Sequence, residues 1–341
     1  GATGFLGRAL CLELLERGAR LVCLVRARNE TEACLRLERS FLDGKAREAF
    51  LRFCATGRVE VVAGDFQSPR LGLTRAVYSR LTKEVESILH AGALVNHTLH
   101  YSDLFESNVE GTATLLEFAL EGRPKAFHFV STLGLRRKGF GEEPASRLWP
   151  ERKRVGEGYA HGYVTSKWAA EVLLEKFHQQ SGLPVSISRS CLLLPHRRYP
   201  SEINHQDIFQ ALLRGVLESG SAPYTFYRDD AKNRRFDGLP VDFVASFLAA
   251  LCLHKPSEEL KVFHVSNWGV GEDVSLDRLI DWVHRSEPIQ RVEHSLFQER
   301  LEQAVGPLSA RPWMRPLAPG RVESQRFCQE LKQLELGLPP I

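Results

Sequence analysis

A tyrosine and a lysine stand four residues apart in the segment GYVTSKWAAEVLL, as Tyr163 and Lys167. On a helix this spacing places both side chains on one face. A tyrosine hydroxyl has an ordinary pKa of about 10, which is too high for easy proton exchange near neutral pH. A lysine ammonium one turn away favours the phenolate, so we expect Lys167 to lower the pKa of Tyr163. The pair predicts a proton-donating tyrosine and a lysine that both activates it and hydrogen-bonds a cofactor ribose.

Three glycines at a spacing of three open the chain in GATGFLG, as Gly1, Gly4 and Gly7. The next residues place apolar side chains at helical spacing up to Gly18, and ARLVCLVRA then has the pattern of a buried strand. Such glycines let a pyrophosphate approach backbone N–H groups at a helix N-terminus. The pattern predicts a nucleotide-binding turn, and we expect the strand that leads into the turn to precede Gly1.

The end of the next predicted strand indicates which nucleotide binds. An NAD site usually has Asp or Glu there to bind the ribose hydroxyls, whereas this chain has Arg26 and no acid until Glu30. A guanidinium can hold a 2′-phosphate with two charge-assisted hydrogen bonds. We therefore predict NADPH as the cofactor, the alternative being that Arg26 only caps a surface loop. Asp65, near the end of the following predicted strand, is a candidate for an adenine contact.

Further segments alternate between strand and helix patterns. Strands are predicted at VEVVAGDF, ESILHAGALV, KAFHFVSTLG and PVSISRS, and helices at SNVEGTATLLEFAL and around Tyr163. This alternation predicts an α/β fold, a Rossmann-like doubly wound parallel sheet that binds ligands beyond the carboxyl ends of its strands. We predict an NADP-binding domain at residues 1–190, to which 236–269 return. Residues 191–235 and 270–341 would form a smaller C-terminal substrate-binding subdomain.

The composition is that of an ordinary globular protein, with 43% hydrophobic residues, 26% charged residues and a formal net charge of +3. This small charge argues neither for nor against nucleic acid, and we expect no nucleic-acid partner. The seven cysteines form no CxxC pair and several lie in apolar runs, which indicates reduced thiols and a cytoplasmic location. No run of eighteen apolar residues occurs and the histidines form no metal-binding motif, so we expect neither a membrane span nor a metal site.

The glycine turn, NVEGT, STLG and YVTSK together resemble the extended short-chain dehydrogenase/reductase family. CLVRA, AGDF, HAGALVN and PVDFVA make the chain similar to the thioester reductase domains that end nonribosomal peptide and polyketide synthases, or carboxylic acid reductases. The resemblance covers nearly the whole chain and is strongest from Gly1 to Arg189. Many members have RPG where this chain has Arg189-Ser190-Cys191, so local backbone contacts to the cofactor would differ.

The resemblance implies a role for each matching residue. Thr132 matches the hydroxyl that binds the substrate carbonyl, with Ser131 as the alternative, and Tyr163 and Lys167 match the acid and its activator. Asn108, in NVEGT, matches the asparagine that supports a proton-relay water in many relatives, the alternative being a buried helix asparagine bonded to backbone. The predicted cofactor-binding residues are Gly1, Thr3, Gly4, Phe5, Leu6, Gly7, Arg26, Asp65 and Lys167.

The resemblance also implies that NADPH reduces an acyl or peptidyl thioester held on the phosphopantetheine arm of a carrier-protein domain. The product is an aldehyde, or an alcohol after a second hydride transfer, and both remain open. Carrier domains are generally acidic, so the basic runs 136–138 and 152–154 are a hypothetical docking surface, or else solvated faces. The alternatives are a fatty acyl-CoA reductase, a nucleotide-sugar epimerase or dehydratase, and a non-catalytic NADP-binding scaffold or sensor. Covalent catalysis by Cys191 is disfavoured because the surrounding SCLLLP is apolar.

Overall fold

The computed structural model describes residues 1–135, 141–148, 161–204, 207–228, 236–255, 257–267, 274–313, 317 and 322–337. The chain divides into two compact units. Unit 1 comprises Gly1–Ile203, Leu239–Ser266 and Glu323–Gly337, and the described residues of unit 2 lie within Asn204–Gly238 and Asn267–Val322. Unit 1 therefore includes 191–203 and 323–337, which the sequence analysis assigns to the smaller subdomain.

Helices and strands alternate along the first part of unit 1. The elements are α1 (Phe5–Glu16), β1 (Leu21–Val25), α2 (Glu30–Ser40), α3 (Gly44–Ala55), β2 (Val59–Ala63), α4 (Arg75–Glu84), β3 (Ser87–His90), α5 (Tyr101–Phe105), α6 (Gly111–Leu120) and β4 (Ala126–Thr132). A π-helical turn, Glu106–Glu110, joins α5 to α6.

The rest of the chain supplies the end of unit 1 and all of unit 2. The elements are, in chain order, α7 (Ala145–Leu148), α8 (His161–Ser181), β5 (Val185–Ser190), β6 (Leu192–Leu194), α9 (Ile208–Ser219), β7 (Ser221–Pro223), β8 (Gly238–Pro240), α10 (Val241–Leu253), β9 (Lys261–Val265), α11 (Leu276–His284), β10 (Gln290–Val292), α12 (His294–Val305), α13 (Pro307–Ala310) and α14 (Gln325–Gln333). Of these, α9, β7, α11, β10, α12 and α13 belong to unit 2.

Parallel strands form the centre of unit 1. β1 pairs with β2, with Leu21 opposite Val59 and Val25 opposite Ala63. Four further strands form a second parallel sheet in the order β3-β4-β5-β9. Parallel strands linked by helices are the Rossmann-like arrangement that the sequence predicts, and this fold class is confirmed.

One predicted strand is shorter than its apolar run suggests. The run ESILHAGALV predicts a strand as far as Val95, but β3 ends at His90. The reason is that both backbone polar groups of Leu94 bond to the side chain of Asn108 and not to a neighbouring strand. The segment after His90 is therefore a loop, and it leaves the sheet at the carboxyl end of β3.

Two apolar clusters hold the helices of unit 1 against the strands. Around the four-stranded sheet, Phe127, Leu174 and Val262 are fully buried. Between α1, α2 and β1, Leu15 and Leu37 are also fully buried. Burying a side chain of this size stabilises the fold by about 1.5–3 kcal/mol. The carboxyl ends of the strands are thus held on a rigid support.

Unit 2 contains a small parallel sheet of its own, formed by β7 and β10. Its helices α9 and α12 pack closely at Gly215, where a Cβ would lie 2.3 Å from Cδ1 of Leu301. Trp313 is 5% exposed and its indole N–H donates to the carbonyl of Ile208. Across the described ranges of both units, no helix has the length together with the apolar character needed to cross a membrane.

Candidate active site

The glycine turn is tightly packed at the N-terminus of α1. The N–H of Gly4 donates to the carbonyl of Gly1 at 3.0 Å, and Gly4 caps α1 without a side chain. A Cβ on Gly7 would lie 1.9 Å from the Gly1 oxygen, and one on Gly1 would lie 2.4 Å from the Ala91 carbonyl. No side chain fits at these positions. The first-turn N–H groups of α1 have no partner within the helix, which suits them to bind an anion such as a phosphate.

A buried ion pair that sequence reasoning missed holds this turn in place. Nε of Arg8 donates to Oε2 of Glu202 at 2.6 Å, and Nη1 donates to the Thr3 carbonyl at 3.3 Å. Glu202 also accepts from the N–H groups of Leu42 and Asp43. Arg8 and Glu202 are 7% and 3% exposed. Their separation of 194 residues leaves no spacing signal that could have indicated the pair.

Arg26 and Asp65 follow neighbouring strands, and the structure brings them together. β1 and β2 pair in register, and Nη1 of Arg26 lies 4.0 Å from Oδ2 of Asp65. The Arg26 side chain is 68% exposed. A guanidinium has five N–H donors, so one weak ion pair leaves donors for a phosphate. The geometry is compatible with both predicted cofactor contacts, which stay predictions.

Helix α8 carries Tyr163 and Lys167 one turn apart, as their spacing predicts. Lys167 is buried, and its Nζ lies 3.8 Å from the centroid of the Phe129 ring in β4. This is the distance of a cation–π contact. Tyr163 is half-buried, and its ring meets that of His97 edge to face with centroids 5.5 Å apart. The pair therefore lies between β4 and the loop that follows β3.

Burial decides the ionisation of both side chains. It raises the pKa of Tyr163 to about 12 and lowers the pKa of Lys167 to about 7, although the nearby Glu171 carboxylate opposes the second effect. The pKa of Tyr163 is thus shifted in the direction opposite to the one that the lysine spacing predicts, because removing the phenol from water disfavours the phenolate. Tyr163 is therefore protonated at neutral pH, as a proton donor must be.

The end of β4 presents two neighbouring hydroxyls in different environments. Ser131 is 5% exposed, and its Oγ donates to Glu171 on α8 at 2.5 Å. Thr132 is less buried, and its Oγ1 accepts from the N–H of Gly134 at 3.1 Å. A Cβ on Gly134 would lie 2.9 Å from Cγ2 of Val164, the residue after Tyr163 in α8. In the contacts among the described residues, Thr132 Oγ1 accepts and does not donate, so its proton can serve a ligand close to α8, whereas Ser131 donates its proton to Glu171.

Asn108 lies in the π-helical turn and joins the loop after β3 to α8. Its Oδ1 accepts from the N–H of Leu94 at 2.8 Å, and its Nδ2 donates to the Leu94 carbonyl and to Oγ of Ser166. Asn108 is 2% exposed, and Ser166 directly precedes Lys167. These are the contacts of a buried helix asparagine that bonds to backbone, which is the alternative to the proton-relay role. The relay role of Asn108 stays a prediction.

The loop after β3 extends from the glycine turn to the tyrosine. It begins at Ala91, beside Gly1, and reaches His97, beside Tyr163. Between these points Leu94 is 43% and Val95 is 58% exposed. Exposed apolar side chains next to a site are a surface on which an apolar ligand can pack.

Cys191 and His90 have ordinary surroundings. Sγ of Cys191 lies 3.4 Å from the Leu192 carbonyl. His90, at the end of β3, contacts Thr112 Oγ1, and burial lowers its pKa well below the ordinary value.

The basic runs 136–138 and 152–154 lie outside the described residues. In the part of the chain that the structure describes, no group of three or more His, Cys, Asp or Glu side chains is placed to hold a metal ion.

The fold and the site together define an NAD(P)-dependent oxidoreductase of the short-chain dehydrogenase/reductase type. A family model, NAD_binding_4, described as male sterility protein, matches residues 1–248. The chain belongs to this family.

Known proteins confirm the resemblance to reductase domains. A carboxylic acid reductase of Mycobacterium tuberculosis is 38% identical over 333 residues, which are 91% of this chain and 28% of that protein. An isonitrile lipopeptide synthase of the same organism is 38% identical over 92% of this chain and 13% of its own length. The crystal structure of the reductase (R) domain of a nonribosomal peptide synthetase from Mycobacterium tuberculosis matches with a TM-score of 0.85 at 33% identity. That match covers 100% of this chain and 87% of the solved one. The chain thus spans less than a third of the length of these two relatives.

Proposed function

We propose that this chain reduces an acyl or peptidyl thioester on the phosphopantetheine arm of a carrier-protein domain, with NADPH as the reductant. The observation that carries the proposal is the position of α8. It holds Tyr163 and the buried Lys167 against the end of β4, where Thr132 presents a hydroxyl. The similarity to a carboxylic acid reductase and to a peptide synthetase reductase domain favours a thioester over other carbonyl compounds.

The residues of unit 1 fit a dinucleotide. The backbone N–H groups of Phe5, Leu6 and Gly7 would bind the pyrophosphate, at a turn too crowded for a side chain. The exposed Arg26 would bind the 2′-phosphate, which is why we propose NADPH and not NADH. Asp65 would contact the adenine. When bound, NADPH supplies a hydride.

The hydroxyls of Thr132 and Tyr163 would both hydrogen-bond the substrate carbonyl oxygen. Negative charge grows on that oxygen as its carbon is reduced, and the two hydrogen bonds stabilise the charge. Tyr163 then gives its proton to the oxygen, and the Lys167 ammonium stabilises the phenolate that remains. The resulting thiohemiacetal breaks its C–S bond and releases the pantetheine thiol and an aldehyde. A second round at the same residues would convert the aldehyde to an alcohol.

Substrate binding is assigned to 191–235 and 270–341 as part of this proposal. The basic runs 136–138 and 152–154 would attract an acidic carrier domain. Reversing their charges should raise KM for a carrier-bound thioester and leave KM for a free pantetheine thioester unchanged. An equal effect on both substrates would contradict the docking hypothesis.

The cysteines are free thiols, which supports the proposed cytoplasmic location.

The proposal is tested by following the absorbance of reduced nicotinamide with an acyl-pantetheine thioester, while the aldehyde is trapped and identified by mass spectrometry. We expect NADPH consumption and aldehyde release. Absence of both would favour a non-catalytic NADP-binding protein. Reduction of acyl-CoA without reduction of acyl-pantetheine would favour a fatty acyl-CoA reductase.

Cofactor choice is tested in the same assay with Arg26→Ala. Removing a charge-assisted contact of about 1.5–3 kcal/mol should lower kcat/KM for NADPH by about 10- to 100-fold and leave kcat/KM for NADH unchanged. The matched control is Arg52→Ala, an exposed arginine of α3 that pairs with Glu48. An equal loss for both cofactors would contradict the assignment of Arg26 to the 2′-phosphate.

A further inference from the structure

A buried ion pair lies on the side of α8 that faces the sheet. Glu171 follows Lys167 by one helical turn, and Arg189 is in β5. Nη2 of Arg189 lies 2.7 Å from Oε2 of Glu171, and Nε lies 3.1 Å and 3.2 Å from the two carboxylate oxygens. Both side chains are 0% exposed. Two full charges are therefore placed where water does not reach, and each depends on the other.

The remaining contacts of the pair lead to the strands around the site. The Glu171 carboxylate accepts from Oγ of Ser131, the residue before Thr132. Nη1 of Arg189 lies 3.2 Å from Nε2 of His264 on β9, and Nη2 donates to the Glu143 carbonyl. The carboxylate thus connects α8 to β4, and the guanidinium holds the carboxylate in place from β5.

The surroundings of Lys167 make Glu171 the nearby source of negative charge. Among the described residues, the titratable groups that face Lys167 are Tyr163 and Glu171 on α8 and His90 at the end of β3. The Phe129 ring lies under the ammonium on the β4 side. Tyr163 and His90 are neutral at neutral pH, because burial raises the pKa of the first and lowers that of the second. Within the part of the chain that the structure describes, the Glu171 carboxylate is therefore the group that favours the charged form of Lys167.

We propose that Glu171, held by Arg189, is a positioning residue for the reduction. Its carboxylate keeps Lys167 as an ammonium and ties Ser131 to α8. Successive side chains of a strand point to opposite faces, so fixing Ser131 also fixes the direction of the Thr132 hydroxyl. This role rests on the proposed function, in which Thr132 and Lys167 act on the reacting carbonyl and on the phenolate.

The test measures the ionisation of Lys167 directly, by NMR of protein labelled with ¹³C-lysine, and compares it with the pH profile of kcat/KM. Lys167→Met identifies the resonance. Glu171→Gln keeps an oxygen that can accept from Ser131 but removes the charge. A nearby opposite charge favours the charged form of a group, so the Lys167 titration should move to lower pH from its native value of about 7. The alkaline limb of kcat/KM, where the ammonium is lost, should move down by the same amount.

Two further variants separate this role from a purely structural one. Glu175→Gln removes a half-buried carboxylate one turn further along α8, where it binds Ser146, and should leave both readouts unchanged. The double variant Glu171→Leu with Arg189→Met replaces both charges by apolar side chains, so it removes the charge without leaving a partner buried and alone. It should still lower the Lys167 pKa, and it serves as the test if Glu171→Gln does not fold.

A Lys167 pKa unchanged in Glu171→Gln, or in the double variant, would overturn the proposal. So would an equal shift in Glu175→Gln. The NMR titration needs no substrate, so it gives its result even if the native chain reduces no thioester. A failure of the proposed function is thereby distinguished from a failure of this inference.

Discussion

Replacing Gly7 by alanine perturbs the cofactor-binding turn where its atoms are closest. The added Cβ would lie 1.9 Å from the Gly1 oxygen, 2.8 Å from the Gly1 carbonyl carbon and 2.9 Å from that of Ala2. All three are backbone atoms, so no side chain can rotate away. Ordinary van der Waals contact begins at 3.4 Å, and the Gly1 carbonyl must therefore move by about 1.5 Å, the difference between 3.4 Å and 1.9 Å.

A displacement of this size should weaken NADPH binding strongly. A hydrogen bond from a backbone N–H to a charged phosphate is worth about 1.5–3 kcal/mol, so losing two of them costs on the order of 100-fold or more in affinity, and overpacking a tight site costs about 1–3 kcal/mol of stability. We therefore expect the Kd of Gly7→Ala for NADPH to rise at least about 100-fold. The free energy of unfolding should fall by about 1–3 kcal/mol.

Isothermal titration calorimetry with NADPH measures the first effect and urea unfolding the second. The matched control is Gly44→Ala at the start of α3, where a Cβ would have no atom within 4 Å and native affinity is expected. A folded Gly7→Ala chain that binds NADPH with native affinity would refute the assignment of the dinucleotide to this turn.

Three further predictions concern the hydroxyl at the end of β4, the ionisation of α8 and the support of the turn. Thr132→Val should lower kcat by about 10²- to 10³-fold in the absorbance assay, with the Kd for NADPH unchanged. A native kcat would contradict the hydrogen bond from Thr132 to the substrate carbonyl. Because the pKa of Lys167 is about 7 and its ammonium is the active form, kcat/KM should fall as pH rises through about 7; a flat profile up to pH of about 9 would contradict this. Glu202→Ala leaves Arg8 buried without its carboxylate and should cost about 3–5 kcal/mol in urea unfolding, so a loss below about 1 kcal/mol would contradict the importance of the pair.

Elements encoded by neighbouring residues could be predicted from the sequence. The glycine spacing places the turn before α1, and the helical pattern around Tyr163 places the tyrosine and Lys167 on one face of α8. The end of β3 could not be predicted from its apolar run, because the loop after His90 is held by the side chain of Asn108. Short-range patterns determine which segments are regular, but contacts from distant segments determine where they stop.

The side-chain contacts that support the site depend on residues far apart in the chain. Arg8 and Glu202 are separated by 194 positions, and Asn108 bonds to Ser166 across 58. No periodicity links such partners, so only the folded chain reveals them. The ionisation of Tyr163 likewise depends on burial, which is why spacing alone gave the wrong direction for its pKa.

Proton donation by Tyr163 to the carbonyl oxygen is tested most directly by a single turnover. NADPH oxidation is followed with saturating NADPH and an acyl-pantetheine thioester, for the native chain, Tyr163→Phe and the control Tyr78→Phe, which removes a hydroxyl of α4 that bonds to Glu121. We predict a rate at least about 100-fold lower for Tyr163→Phe, with NADPH affinity unchanged and the control at the native rate. A Tyr163→Phe chain that oxidises NADPH at the native rate would contradict the proposed mechanism.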